Sequence, residues 1–339
     1  MTWEELDWRA LDRLRDRFLR GPGEGGSYWE TASDLASYDF TFGERIGWKW
    51  DHVLRELRLR GWRPRSRHVF DWGCGSGVAS RRVLAAFGAE LFDSLTVWDH
   101  SPLACDHSEE AARLAFPKLA VAQAAPSLLT SSAPIGLLLL SHVLNELSPE
   151  ARRAVRDLVS RSEAVIWVEP GTREISRELG KVRDDLRSQF QIIAPCTHEL
   201  GCPMFAEGNE RHWCHFFAPP PSEIFADSNW VKFGQRAGID LRSLPYAFFA
   251  AERVSASDCE RVSRPSDWSR VIGRVEHFKP YARLLNCDAQ GLTELELPKR
   301  NDPALFKQLD RTKAPLVYRW RREGGKILGG EPRGGHSGA

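Results

Sequence analysis

Lysine is scarce in this sequence: nine of the 47 basic residues are lysines and the rest are arginines. Arginine suits bidentate phosphate and carboxylate contacts, and a GC-rich coding sequence yields the same bias. An excess of one charge is also missing. The net charge is +1, so no global field steers the chain towards nucleic acid. No apolar run reaches the roughly 18 residues of a spanning helix; the longest lies near Ile135–Leu140. The first residues, Met1-Thr2-Trp3-Glu4-Glu5, have neither signal-peptide nor transit-peptide character. These absences lead to the expectation of a cytoplasmic protein without a membrane, monomeric when free. The seven cysteines, an odd number, argue against a disulfide framework and for free thiols plus a metal site.

What is present centres on His68-Val69-Phe70-Asp71-Trp72-Gly73-Cys74-Gly75-Ser76-Gly77. An apolar run ends in an acid, glycines alternate with small residues, and a helical pattern follows over Val78–Phe87. Strand, glycine turn and helix bring backbone close to a nucleotide-like ligand at the carboxyl end of a strand. A dinucleotide fingerprint wants Gly-x-Gly-x-x-Gly, but Gly73, Gly75 and Gly77 place the third glycine one position early. Asp71 would repel a pyrophosphate and attract the ammonium and sulfonium of S-adenosylmethionine. Asp99, ending the next strand, is positioned to accept hydrogen bonds from two ribose hydroxyls. Asp71, Gly73, Cys74, Gly75, Gly77, Asp99, His100, Ser141 and His142 are therefore the candidate S-adenosylmethionine residues.

Residues 1–66 read as helical. Thr2 and Glu5 fit a capping box, Leu11, Leu14 and Phe18 share a face, and glycines between Gly21 and Gly26 break the helix. A second helix spans about 45–58. From Val69 onward strands and helices alternate, with strands at 69–71, 94–99, 119–124, 136–140 and 164–168, predicting a parallel sheet with right-handed crossovers. A long helix then carries Ile175, Leu179, Val182, Leu186 and Phe190 on one face. Arg173, Arg177, Lys181, Arg183 and Arg187 lie on the other, read as solvated or RNA-facing. Helix is expected over 222–237 and strands over 246–254 and 270–275. A hairpin over 283–297 turns at Asp288-Ala289-Gln290-Gly291, and the glycine-rich tail from Gly324 is expected to be disordered.

After the fourth strand, where amino-methylating enzymes often place Asn/Asp-Pro-Pro-aromatic, stands Ser141-His142-Val143-Leu144-Asn145-Glu146. His142 and Glu146 are the candidate bases, each equally readable as structural. Between Pro195 and Pro221, Cys196, Cys202 and Cys214 crowd with His198, His212 and His215 in a polar loop. That crowding suggests soft-metal ligation. Zinc usually shows Cys-x-x-Cys knuckles, which are absent here, and an iron–sulfur cluster fits irregular spacing at least as well. The fourth thiolate is Cys287 or Cys259.

Glu169-Pro170-Gly171, Ala194-Pro195-Cys196-Thr197-His198, Cys202-Pro203-Met204 and Trp213-Cys214-His215-Phe216 occur in that order. The series resembles the methyltransferase-like assembly factors of the mitochondrial small ribosomal subunit and their bacterial relatives. The resemblance implies S-adenosylmethionine binding, association with the small ribosomal subunit and its rRNA, and a [4Fe–4S] cluster on Cys196, Cys202, Cys214 and Cys287, with zinc as the alternative metal. It also implies an α/β fold: a Rossmann-like class I methyltransferase sheet with an N-terminal helical segment and a cysteine-rich insertion closed by a C-terminal β-hairpin. The expected divisions are 1–66 (helical), 67–194 (cofactor-binding, its sheet completed by strands near 244–275), 195–221 (metal-binding), 222–323 (hairpin and fourth cysteine) and 324–339 (tail).

Overall fold

The computed structural model describes residues 1–20, 29–254, 267–310 and 316–333. The chain forms two compact units. Residues 1–55, 63–169 and 218–244 make the first, and residues 56–62, 170–217 and 245–339 the second.

The first unit begins with α1 (Trp8–Arg20), α2 (Ala32–Tyr38) and α3 (Glu44–Leu59), the last two joined by a π-helical turn at Asp39–Gly43. Leu11 and Leu14 are buried as predicted; the Phe18 side chain and the Gly21–Gly26 break lie outside what the structure describes. Thr2 and Glu5 do not cap a helix. The Glu5 carboxylate accepts from Thr2 N at 2.7 Å, but α1 starts at Trp8, where Asp7 accepts from Ala10 N at 3.0 Å. The capping box of this region is Thr31 with Asp34.

There follow β1 (His68–Trp72), α4 (Val78–Phe87), β2 (Ser94–Trp98), α5 (Pro102–Ala115), β3 (Ala120–Gln123), α6 (Pro126–Thr130), β4 (Ile135–Ser141), α7 (Pro149–Arg161) and β5 (Ser162–Pro170). These strands are all parallel, in the order β3-β2-β1-β4-β5. Leu137 to Leu140 of β4 and Val165 and Ile166 of β5 are fully buried, which is why these strands read as continuous apolar runs. The strand order reverses between β1 and β4. In a Rossmann-like sheet that switch point, outside the carboxyl ends of the strands, is where ligands bind.

In the second unit, α8 (Arg173–Leu186) stops before Phe190, which instead opens β6 (Phe190–Ala194). The apolar, β-branched run Phe190–Ile193 prefers the sheet, where it pairs antiparallel with a later strand. β7 (Phe216–Ala218) follows. The stretch predicted as one helix over 222–237 is a 3₁₀ turn at Ser222–Phe225 and then α9 (Ser228–Ala237), a first-unit helix capped by Asp227, which accepts from Asn229 N at 2.8 Å. β8 (Leu244–Arg253) is the partner of β6.

β9 (Ser269–His277), β10 (Tyr281–Asp288), β11 (Gly291–Pro298), α10 (Pro303–Leu309), β12 (Val317–Glu323) and β13 (Lys326–Pro332) complete the chain. The strands close a barrel in the order β10-β11-β13-β12-β9. Val271, Ala282, Leu284, Leu295, Leu297, Tyr318 and Ile327 fill it, with Leu305 and Leu309 of α10. The predicted hairpin forms as β10–β11, turning at Asp288–Gly291, within the barrel. Two expectations are corrected here. β9 pairs with β10 and β12 in the barrel and not with the parallel strands. The tail from Gly324 is not disordered through Pro332, because Ile327 is fully buried in the barrel and draws Lys326–Pro332 into a strand. Cys259 lies outside the described residues, as do residues 334–339. Among the described residues no helix is long and apolar enough to cross a membrane.

Candidate cofactor pocket and cysteine site

The glycine turn is shaped by backbone that only glycine adopts cheaply. Gly73, Gly75 and Gly77 have φ of 69°, 51° and 73°. Gly73 N and Cys74 N both donate to Trp98 O, at 2.8 and 3.0 Å, tying the turn to the end of β2. A Cβ added at Gly75 would meet nothing within 4 Å, so this point of the turn is open. Asp71 is fully buried. Its Oδ2 accepts from Ser80 N at 3.3 Å in the first turn of α4, and its Oδ1 has no hydrogen-bond partner. Burial pushes its pKa up to about 7. Asp99 is fastened to the turn: Oδ2 accepts from Gly75 N and Oδ1 from Ser101 N, each at 3.0 Å. His100 lies outside it, 56% exposed, with Nδ1 3.2 Å from Asp99 Oδ1. Cys74 is buried beside Cys105, a residue without any motif to mark it, and Asp99 N donates to Cys105 Sγ at 3.1 Å.

At the neighbouring carboxyl end of β4 the structure gathers residues from distant sequence. Lys49 Nζ lies 3.0 Å from His142 Nε2, and Trp50 Nε1 donates to Ser141 Oγ at 2.9 Å. His142 has φ of 58°, a left-handed conformation rare outside glycine. Its N–H donates to Val168 O at 2.9 Å. Glu169 Oε1 receives Val143 N, Leu144 N and Trp167 Nε1, and so holds the turn in place. Burial pushes Glu169 up to about 7. Burial, with Arg45 adding repulsion, brings Lys49 down to about 7, and burial beside Lys49 keeps His142 well below its ordinary value. With the imidazole protonated at Nδ1, facing Ser141 Oγ at 3.4 Å, Nε2 accepts from Lys49. The amine then keeps a free lone pair. Glu146 stands exposed in the turn beyond.

The cysteine loop is held by arginines. Arg177 donates to Met204 O and His212 O at 2.9 Å each; Arg183 reaches Leu200 O at 2.7 Å and His198 O at 3.0 Å. Arg173 donates to Glu210 O at 2.7 Å and Arg187 to Glu199 O at 3.4 Å. The arginine face of α8, read from sequence as solvated or RNA-facing, is thus a rack of donors for loop carbonyls that lack a sheet or helix to pair with. At the end of α3, Arg60 donates to Ile193 O, Pro195 O and Cys196 O. Asp184 accepts from Cys202 N at 2.9 Å.

Cys196, Cys202, Cys214 and Cys287 are all free, and they act on one another. Burial and then the charge of Cys196 push Cys202 up to about 12. Burial and the charges of Cys196 and Cys202 raise Cys214, and burial with all three others raises Cys287; Arg183 and Arg270 pull Cys214 the other way. Thr197 Oγ1 and both ring nitrogens of His198 are buried without hydrogen-bond partners. Among the described residues no group of three or more His, Cys, Asp or Glu side chains is arranged to hold a metal ion.

Fold and sites define a class: a Rossmann-like α/β protein with a glycine turn at its switch point and a second unit of cysteine-rich loop and closed barrel. The family model described as mitochondrial small ribosomal subunit Rsm22 matches residues 51–311, and the chain belongs to this family. No curated protein matches it. Among solved structures, an O-methyltransferase family protein from Burkholderia thailandensis is 15% identical, with 75% of this chain and 71% of that one covered and a TM-score of 0.38. An rRNA methylase from Escherichia coli is 12% identical, covering 73% and 76% at a TM-score of 0.37. The plantazolicin methyltransferase BamL, solved with SAH, is 12% identical, covering 66% and 91% at 0.38. Likeness at this level assigns neither substrate nor reaction.

Proposed function

We propose that this chain is an S-adenosylmethionine-dependent, methyltransferase-like protein that acts on the small ribosomal subunit and carries a [4Fe–4S] cluster on Cys196, Cys202, Cys214 and Cys287. Membership of the Rsm22 family over residues 51–311 carries the ribosomal part of this reading. The open Gly75 and the unpartnered Asp71 Oδ1 favour a ligand on the glycine turn. The raised Cys202, Cys214 and Cys287 thiols, the buried Arg183 and Arg270 and the unpartnered Thr197 and His198 support a thiolate-bound cluster here.

S-adenosylmethionine, when bound, supplies an electrophilic methyl group. Gly73, Gly75 and Gly77 let backbone approach it, and Asp99 takes the ribose hydroxyls. Lys49, neutral and aligned by His142, takes the proton that a substrate N–H or O–H gives up. The cluster thiolates clamp the loop to β10, an ordering role that needs no redox change.

The deciding measurement is tritium transfer from labelled S-adenosylmethionine to small subunits from a strain lacking the protein. Transfer is expected. Cofactor binding without transfer would make the chain an assembly factor that holds its ligand structurally, and no binding would overturn the reading. Anaerobic purification should give a brown protein with about four irons per chain; a colourless protein with stoichiometric zinc would sink the cluster and favour a small-molecule methyltransferase.

A further inference from the structure

Numbered one to five along the chain, the barrel strands β9 to β13 are neighbours in the order 1-2-3-5-4, closing on 1, with α10 between the third and fourth. The third and fifth strands are parallel and the remaining pairs antiparallel. This is the topology of the OB-fold, a barrel that binds oligonucleotides or oligosaccharides on the face of its second and third strands and on the loops joining its first and second and its fourth and fifth strands; the basic surplus of this barrel lies on the fourth and fifth strands. A fold alone assigns no ligand, so the outer surface has to choose between the two ligand classes.

On β12 and β13 it does. The stretch Val317–Arg333 holds Arg319, Arg321, Arg322, Lys326 and Arg333 against Glu323 and Glu331, a local surplus in a chain of net charge +1. Tyr318 points into the barrel, and Arg319 and Arg321 are exposed outside it. Just before β9, the half-buried Trp268 ring lies 4.8 Å from the Arg319 guanidinium and 5.9 Å from that of Arg333. Arg319 also pairs with Asp267, at 2.5 Å, and with Glu331 at 3.8 Å. The Arg321 guanidinium lies across Gly329, where an added Cβ would come within 2.4 Å of it. Planar guanidinium and indole groups set among several cations suit unstacked bases and phosphates.

We propose that the outer face of β12–β13, with Trp268, binds single-stranded RNA: bases lie on the Trp268 indole and the arginine planes, and Arg319, Arg321, Lys326 and Arg333 meet phosphates. The proposal rests on the ribosomal reading for its partner, but its test does not. The exposed Phe278, stacked on Tyr281 at 4.8 Å beside an Arg283 paired with Glu294 and Glu296, is an aromatic site without the basic surplus and serves as the control.

Fluorescence anisotropy of a labelled 12-nucleotide single-stranded RNA with the full chain, over a salt series, is the test. Arg319→Glu/Arg321→Glu should weaken binding at least tenfold and flatten its salt dependence. Trp268→Ala should weaken it about tenfold, Trp268→Phe less, and Phe278→Ala little. Unchanged iron content and circular dichroism would show that the exposed charge reversals leave the fold intact. Wild-type binding that none of the barrel variants alters would overturn this surface and leave the ribosomal reading standing. Loss of co-sedimentation with small subunits at unaltered RNA affinity would make the face a protein contact and overturn the RNA assignment. No RNA binding by wild type would overturn it outright, while co-sedimentation tests the ribosomal reading separately.

Discussion

Lys49 is the proposed proton acceptor, and its contact with His142 carries that proposal. It sits in α3, more than 90 residues from His142, and nothing in Gly47-Trp48-Lys49-Trp50 marks it as a base. The strained His142 backbone and the Trp50–Ser141 hydrogen bond hold the imidazole against its amine. With a pKa brought down to about 7, Lys49 is largely neutral at pH 8, where an ordinary lysine is charged. Titration of the Lys49 13Cε resonance, assigned through Lys49→Arg, should give a midpoint near 7. A midpoint above 10 would remove the residue from any proton-accepting role. If methyl transfer is found, Lys49→Met should slow it about 100-fold and abolish the limb of the pH–rate profile near 7, with S-adenosylmethionine affinity within a few-fold of wild type.

The cysteine loop shows how an element without regular structure is ordered. Its carbonyls cannot pair with one another, so Arg173, Arg177 and Arg183 of α8, Arg187 just past it and Arg60 just past α3 satisfy them. Arg60 does this from a buried ion group with Glu56 and Arg270. Burial pushes the Glu56 carboxyl up, but the two guanidiniums outweigh it and hold the pKa at about 2. Arg60→Leu removes three carbonyl hydrogen bonds and one charge of that group, and should cost about 3 kcal/mol in urea unfolding. It should also lower the iron retained on purification. If the proposed cluster is present, Cys287→Ser should lose iron, since Cys287 of β10 is its proposed fourth ligand. Full iron in Cys287→Ser with none in Cys259→Ser would reassign the fourth ligand.

For the whole molecule, the buried acids set an unusual pH dependence. Asp71 and Glu169 have folded pKa values of about 7, raised from ordinary values of 3.8 and 4.5. Their contribution is fully present below about pH 4 and is lost as pH rises through 7. Lys49, lowered from 10.5 to about 7, contributes fully above about pH 10.5 and loses this as pH falls through 7. Glu56 acts in the opposite sense to Asp71: held at about 2, its contribution disappears only in strong acid. On these four groups the ligand-free chain should be most stable near pH 4, where Glu56 is ionised while Asp71 and Glu169 are protonated, and should lose stability towards pH 7. Asp71→Asn should flatten that fall, and thermal melts of both proteins from pH 4 to 9 check it; identical slopes would remove Asp71 as its source.

The sequence by itself determined the parallel strands, the glycine turn and the arrival of cysteines in one loop, because these are local. An apolar run, a spacing of glycines and a crowding of thiols are properties of a few neighbouring residues. Helix α4 was legible to the residue for the same reason, its start marked by Gly77 and its stop by Gly88. The barrel was not, since β11 and β13 pair in parallel although residues 299–325 separate them with no pattern to announce it, and Gly329 and Gly330 look like a loose tail until Ile327 is seen in the core. Long-range packing sets Lys49 against His142 and turns the arginines of α8 towards a loop. Each of these is a contact between residues far apart in the chain, made favourable by burial that no single segment can supply.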